Sequence, residues 1–342
     1  MKMKPNIKQV AQEANVSTAT VSRVLNRSGY VSDDVVQRVY EAVEKLGYRM
    51  NAIARSLKQD RTQTIGVIVP DISNPYFMQL ARGLEDVVQA AGYHLIFGSS
   101  DERAEKEDKL LELMHGRRTD AIVLASASRR GSELLEPITR SGTPVLLIDR
   151  RIENEGVELD TFVESNAKTA CALAEKLIED GHRSIGVIHG GKVAATAVER
   201  LEGVEEAFRR HGIAWRPELA VDGKYSEEGG AAAAKRLLQM KEDRRPTAIL
   251  SLNNVMSFGA LLELARIGAN IPGDVALASF GELPAAALWK NSRIWAAVQK
   301  PYAMGKAVGE RLLERFGEDE ERSGERARIV QEVFEPMLDR LK

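Results

Sequence analysis

In the first fifty positions, apolar residues recur at intervals of three and four; beyond position 64 they come as short unbroken runs set between further helical periods. The first pattern predicts amphipathic helices, the second buried strands alternating with helices. Ile7, Val10, Ala11 and Ala14 share one face of a helix over Ile7–Glu13, with Asn6 placed to cap it. Ala14-Asn15-Val16 is a tight turn, and Asn15 tolerates the left-handed backbone such a turn needs. Ser17 then caps a helix over Thr18–Leu25. Its apolar positions are Val21, Val24 and Leu25; its other face carries Thr18, Ala19, Thr20, Ser22 and Arg23. Ser32 is placed to cap a third helix, about Asp33–Leu46, with Val35, Val36, Val39, Val43 and Leu46 as its stripe and Gly47 as its stop.

From Thr64 the elements alternate. Strands are predicted at 64–70, 94–100, 121–126, 144–150, 184–190, near 220–223, at 247–252 and at 274–280. Helices are predicted at 75–91, 102–115, 132–142, 167–180, 197–211, 227–240 and 256–267. A strand and a long helix follow in 295–317, then a charged loop at 318–328 and a last strand near 329–334. This rhythm implies two doubly wound parallel sheets, and so two α/β lobes with a cleft between facing strand ends.

Composition narrows the class. The 342 residues exceed one ordinary domain. No apolar run approaches the roughly 18 residues of a membrane span, and the basic start MKMKPNIKQ has no apolar segment behind it, so the expectation is a cytoplasmic protein without a membrane. One cysteine, Cys171, excludes an intrachain disulfide and a multi-thiolate metal site. The net charge of −2 is unevenly spread: residues 1–61 hold 11 Lys+Arg against 6 Asp+Glu, and residues 62–342 hold 37 against 44. The basic excess coincides with the paired short helices, where phosphate contacts need it. A small, polar, basic second helix after a tight turn fits a helix-turn-helix that enters the DNA major groove.

The string VAQEANVSTATVSRVLN (Val10–Asn26) resembles the DNA-binding headpiece of the lactose-repressor (LacI/GalR) family of bacterial transcription regulators. Val10-Ala11, Ala14, Val16-Ser17, Thr20-Val21-Ser22 and Leu25-Asn26 fall on the pattern in register; Asn15 stands where the family usually has Gly. The resemblance implies that Thr18, Ala19 and Arg23 face base edges, with Arg23 bidentate on a guanine. It implies that Asn6, Ser17, Thr20, Ser22 and Asn26 serve phosphate contacts and helix starts. Tyr48–Arg61 resembles the family's hinge. Asn51 would cap a short helix that folds on DNA, Leu57 would wedge a minor-groove base step, and Arg55 and Lys58 would hold the backbone; a plain linker is the alternative.

The remaining chain resembles the family's two-lobed, periplasmic-binding-protein-like (type I) core, through IGVIVPDISNPYF, GHRSIGVIHG, RLEG and IGANIPGDVALASF. The implied organisation is a headpiece at 1–50, a hinge at 51–62 and an effector and dimerisation core at 63–342. Within the core the expected N-lobe is about 63–163 and 292–323, and the C-lobe about 164–291 and 324–342. The resemblance places Asp71, Tyr76, Phe77, Asp149, Thr196, Arg200, Tyr225 and Asn253 on cleft positions, with Arg200 as the cation for ligand hydroxyls or carboxylates.

Three cleft carboxylates usual in sugar-binding members are replaced: Ser165-Asn166, Asn253-Asn254 and Gly281-Glu282 stand in their places. This points to an anionic effector such as a sugar acid or phosphosugar, with Arg200 and Lys192 or Arg150 as partners. A cleft that answers to a protein co-regulator, and one that binds nothing, are the other readings. The chain ends in EPMLDRLK, too short for a heptad-repeat helix, so a homodimer on double-stranded, two-fold operator DNA is expected. No Walker loop, G-x-S-x-G elbow or HExxH is present, and the five His are scattered. The expectation is a regulator, most simply a repressor, with no catalytic residues, cofactor or metal. A solute-binding protein is the rival, opposed by the basic headpiece.

Overall fold

The computed structural model describes residues 5–26, 29–48, 61–154, 156–191, 193–288, 293–321 and 328–341. Asn51, Arg55, Leu57 and Lys58 of the expected hinge lie outside them, as does Lys192. The chain divides into two compact units, Met1–Thr62 and Gln63–Lys342.

The first unit holds α1 (Ile7–Glu13), α2 (Thr18–Asn26) and α3 (Asp33–Leu46). Val10, Val21 and Val39 are fully buried at its centre, with Ala11, Ala14, Val24 and Ala42 around them. Gly47 ends α3 in the left-handed conformation (φ 60°). Ser32 starts α3 without a side-chain cap bond, although the sequence places it to make one. The α3 side chain of Arg38 donates to the Ala14 carbonyl at 3.2 Å, tying that helix to the turn.

The second unit has two six-stranded sheets. The first contains β1 (Thr64–Val69), β2 (His94–Ser99), β3 (Ala121–Leu124), β4 (Val145–Asp149), β5 (Asp160–Glu164) and β11 (Gln331–Phe334), in the order β11-β5-β4-β3-β1-β2. The second contains β6 (Ile185–His189), β7 (Ala220–Asp222), β8 (Ala248–Ser251), β9 (Ala276–Phe280), β10 (Ile294–Val298) and β12 (Met337–Leu341), in the order β12-β10-β9-β8-β6-β7. The pairs are parallel except β10 with β12. Helices cover both faces: α4 (Pro75–Val88), α5 (Ala104–Gly116) and α6 (Leu135–Arg140) on the first sheet, α7 (Asn166–Glu179), α8 (Ala195–Arg210), α9 (Glu227–Leu238) and α10 (Asn254–Arg266) on the second. The last helix, α11 (Pro301–Glu321), returns to the first lobe and packs along α4. The two helices approach so closely that a Cβ at Gly83 would meet the Tyr302 carbonyl and one at Gly305 the Leu80 carbonyl.

Strand pairing redraws the lobes' C-terminal shares. The strand within 292–323, expected in the N-lobe, is β10 and pairs with β9 in the second sheet; only α11 joins the first lobe. The tail 324–342 is divided rather than belonging to the C-lobe alone, since β11 pairs with β5 and β12 with β10. The chain therefore crosses between lobes at 164–166, 299–301 and 335–336. Strand β5 was not anticipated, because DTFVE begins and ends on acids. The fold buries Asp160 by giving it Arg311 at 3.1 Å, Arg315 at 2.7 Å and the Val330 N–H at 2.7 Å. Trp295 fixes the second sheet's edge: its indole donates to Asp180 at 2.9 Å, and Arg340 of β12 lies over its ring.

Candidate functional site

Two surfaces carry chemistry. In the headpiece, Asn6 and Gln9 form a reciprocal capping box: Asn6 Oδ1 accepts from the N–H groups of Lys8 and Gln9, and Gln9 Oε1 accepts from the Asn6 N–H. The Asn6 side chain is thus committed to starting α1. Asn15 adopts φ 53°, as the turn requires, and the Val16 N–H donates to the Ala11 carbonyl at 2.9 Å. Ser17 Oγ accepts from the Thr20 N–H at 3.0 Å, which starts α2. With Val21 and Val24 facing inward, Thr18, Ala19 and Arg23 are exposed together, and Thr20 and Ser22 are half-buried beside them. Asn26 is the last residue of α2; its side chain is not described.

In the core unit, the strand ends of both lobes face one cavity of about 40 Å³. All eight expected positions line it: Asp71, Tyr76, Phe77 and Asp149 from the first lobe, and Thr196, Arg200, Tyr225 and Asn253 from the second. Several are partly committed to structure. Asp71 accepts from the N–H and hydroxyl of Ser73, each at 2.7 Å. Asn253 caps α10 through the Val255 and Met256 N–H groups. Tyr76 and Phe77 meet edge to face at 5.2 Å within the lobe core and present only part of each ring to the cavity.

Arg200 is buried, with its guanidinium 3.8 Å from the Phe280 ring centroid. Its Nε donates to Asn166 Oδ1 at 2.8 Å and its Nη1 to the Leu252 carbonyl at 2.9 Å. Among the described residues it makes no ion pair with a carboxylate. Arg150 differs, and the expectation that it would serve a ligand anion is corrected. It makes two bonds to Glu102, at 2.6 and 2.7 Å, and donates to the Ser126 carbonyl. Burial alone would lower its pKa, yet the Glu102 carboxylate holds it well above the ordinary arginine value. Its charge is already matched.

Acids remain despite the three replaced positions: Asp71, Glu102 and Asp149 line the cavity, and Glu164 lies behind its Gln299 wall. Glu164, the last residue of β5, is almost fully buried. Burial pushes its pKa up to about 7, an effect Arg200 opposes and Asp149 reinforces. One oxygen accepts from Gln299; the other has no hydrogen-bond partner among the described residues. Burial and the charges of Glu164 and Asp149 hold the Tyr76 phenol well above its usual pKa. Burial also raises Tyr225, whose hydroxyl lies 3.3 Å from Thr196 Oγ1.

Four contributors were not singled out from sequence, Asn74, Glu102, Glu164 and Gln299, and Asn254 was named only as a replaced carboxylate. Most link the lobes or their crossings. Asn254 Nδ2 donates to Asn74 Oδ1 at 2.9 Å, and Glu164 and Gln299 join two crossing strands. Arg150 of the first lobe lies 5.4 Å from the Tyr225 ring centroid of the second. The available signal was position alone: each lies within a few residues of a strand's C-terminal end.

A helix-turn-helix with an exposed polar second helix, on a chain whose core is a two-lobed type I binding fold, defines a DNA-binding transcription regulator. Comparison with known proteins gives the family. Residues 6–51 match "Bacterial regulatory proteins, lacI family", and residues 62–335 match "Periplasmic binding proteins and sugar binding domain of LacI family". The chain belongs to this family. Catabolite control protein A of Priestia megaterium is 33% identical over 315 residues, covering 92% of this chain and 93% of that one. The HTH-type transcriptional repressor PurR of Aliivibrio fischeri (strain MJ11) is 30% identical over 311 residues, covering 91% of each. These relatives are transcription regulators, not enzymes. The Lac repressor dimer bound to operator and the anti-inducer ONPF shares the fold at a TM-score of 0.78 and 20% identity, over 99% of this chain and 98% of that one. No helix among the described residues is long and apolar enough to cross a membrane.

Proposed function

We propose that the protein is a cytoplasmic repressor, acting as a homodimer on a two-fold operator, whose DNA affinity is set by a small organic anion between the lobes. Arg200 carries the effector reading: it is a buried cation on the cavity wall, and its described partners are neutral acceptors and a ring. A cation so placed favours a carboxylate or phosphate, because Coulomb attraction is strong where water is excluded. A sugar acid or phosphosugar remains the proposed class. Arg200 is its cation among the described residues, since Arg150 is matched by Glu102; Lys192 keeps its proposed partner role.

On the DNA side, α2 supplies the reading face, with Arg23 on a base edge and Thr18 and Ala19 against it. Asn51, Arg55, Leu57 and Lys58 keep their proposed hinge role. The dimer is supported by the edge strand β2, which exposes Ile96 and Phe97, and by Met78 on neighbouring α4. A ligand that binds one arrangement of the lobes more tightly shifts the population toward it. Asn74–Asn254 and Arg150–Tyr225 are contacts that such a shift would remake.

Calorimetry against sugar acids, phosphosugars and neutral hexoses tests the effector class. The anions should bind and the hexoses should not; tight binding of a neutral hexose contradicts it. Retention of selected genomic fragments in a gel shift tests the regulator itself.

A further inference from the structure

The interlobe cleft has a second chamber that the effector reading does not use. It holds about 510 Å³, against about 40 Å³ for the chamber at Arg200. At roughly 10–15 Å³ of such space per water, the inner chamber takes about three water-sized groups. That matches a carboxylate but not a ring. The outer chamber lies in the range of roughly 300–1,000 Å³ typical of small-molecule sites. Tyr76, Asn254 and Gln299 line both, so the two chambers adjoin at these residues.

The chemistry of the two chambers differs. The inner one is lined by charged and amide side chains. The outer one is predominantly apolar, formed by Pro75 and Tyr76 at the start of α4, Val255 and Phe258 on α10, and Leu283 and Pro284 beyond β9. Its charged lining residues are both acids, Glu227 and Glu282. No lining residue there is a cation that could hold a second anionic group, and a bare polyhydroxylated chain would leave much of the apolar wall in contact with water.

We propose that the effector is an organic anion with an apolar body, its charged head on Arg200 in the inner chamber and its body in the outer chamber between α4 and α10. This rests on the anionic reading of the cleft and narrows it: a sugar acid would carry an aryl or alkyl substituent, and a bisphosphate is excluded. The body touches both lobes at once, with Tyr76 on one side and Val255 and Phe258 on the other. Occupancy would thereby favour one lobe arrangement.

The test is calorimetry on the full chain with straight-chain carboxylates from butanoate to octanoate, the matching alcohols and amines, and glucuronate and inorganic phosphate as head-only probes. Carboxylate affinity should rise about fourfold per added methylene, as burial of each CH₂ predicts. Octanol and octylamine should bind at least tenfold more weakly than octanoate. Val255→Phe, which narrows the outer chamber, should weaken the longer carboxylates more than it weakens phosphate. If phosphate or glucuronate binds through Arg200 but the series is flat, the anionic reading stands and the two-chamber proposal falls. If octanol binds as well as octanoate, the outer chamber is independent of Arg200 and the proposal falls again. If no anion binds, both readings fail.

Discussion

The second helix of the headpiece and the interlobe cleft use polar side chains in opposite ways. Thr18, Ala19 and Arg23 stand exposed on a face held by three buried valines, so their chemistry is available to a partner. In the cleft, Asp71, Asn253, Thr196 and Arg150 already bond to their neighbours, and burial pushes the Glu164 carboxyl up to about 7. The headpiece is a rigid surface waiting for a partner. The cleft is a set of paired groups, and a ligand must offer more than those pairs do. Of the groups there, Arg200 hydrogen-bonds only neutral acceptors and makes no ion pair among the described residues, which is why the effector reading rests on it.

The largest effect should come from the core beneath the reading face. Val21→Asp places a charge where exposure is 0% and no partner exists, costing at least about 4 kcal/mol. Operator binding should vanish in a gel shift while the thermal transition of the two-lobed core persists. Loss of that transition as well would mean the units fold together.

Next comes the proton on Glu164. Its pKa is about 7 in the fold against 4.5 for a free glutamate side chain. The folded state thus binds the proton where the unfolded chain has lost it. The stability this group contributes is complete below about pH 4.5 and is lost as pH rises through 7, a change of about 3 kcal/mol. Denaturant midpoints across that range should fall in the wild type and fall much less in Glu164→Gln. Parallel curves for the two proteins would mean that Glu164 is not the group that titrates in the cleft.

Arg200→Met should weaken anion binding by about 2 kcal/mol, the value of a hydrogen bond to a charged group, or roughly thirtyfold in calorimetry. Arg23→Ala should cost about 1–3 kcal/mol at one base pair and relax discrimination there. A uniform loss across sequences would make Arg23 a phosphate contact instead. The smallest effect is expected at the lobe contact: Asn254→Ala removes a half-buried amide pair worth about 1 kcal/mol. It should alter ligand affinity slightly and leave the folding midpoint almost unmoved.

The same contrast decided what could be read from the chain. The headpiece is local: caps, a left-handed Asn15 and i, i+3, i+4 spacing all lie within twenty residues, and its helices follow from them. The βα rhythm was equally plain, because parallel strands buried on both faces are continuous apolar runs. What escaped depends on distant partners. Strand β5 looks too acidic until Arg311 and Arg315, some 150 positions on, are brought to Asp160. The placement of β10, β11 and β12 is set by pairing that local periodicity does not encode. In the cleft, the eight expected residues came from family resemblance, not from spacing. Glu102 and Glu164 were missed because an acid's value there depends on which arginine the fold sets beside it.

The most direct test joins the two regions. Fluorescence anisotropy of a labelled operator, chosen by selection of bound genomic DNA, would be followed in the full chain with and without a saturating organic anion identified by calorimetry. In the wild type the anion should shift the operator Kd at least fivefold, and Arg200→Met should abolish the shift while leaving unliganded operator binding intact. An anion that binds in the calorimeter yet leaves the operator Kd unchanged would contradict this coupling.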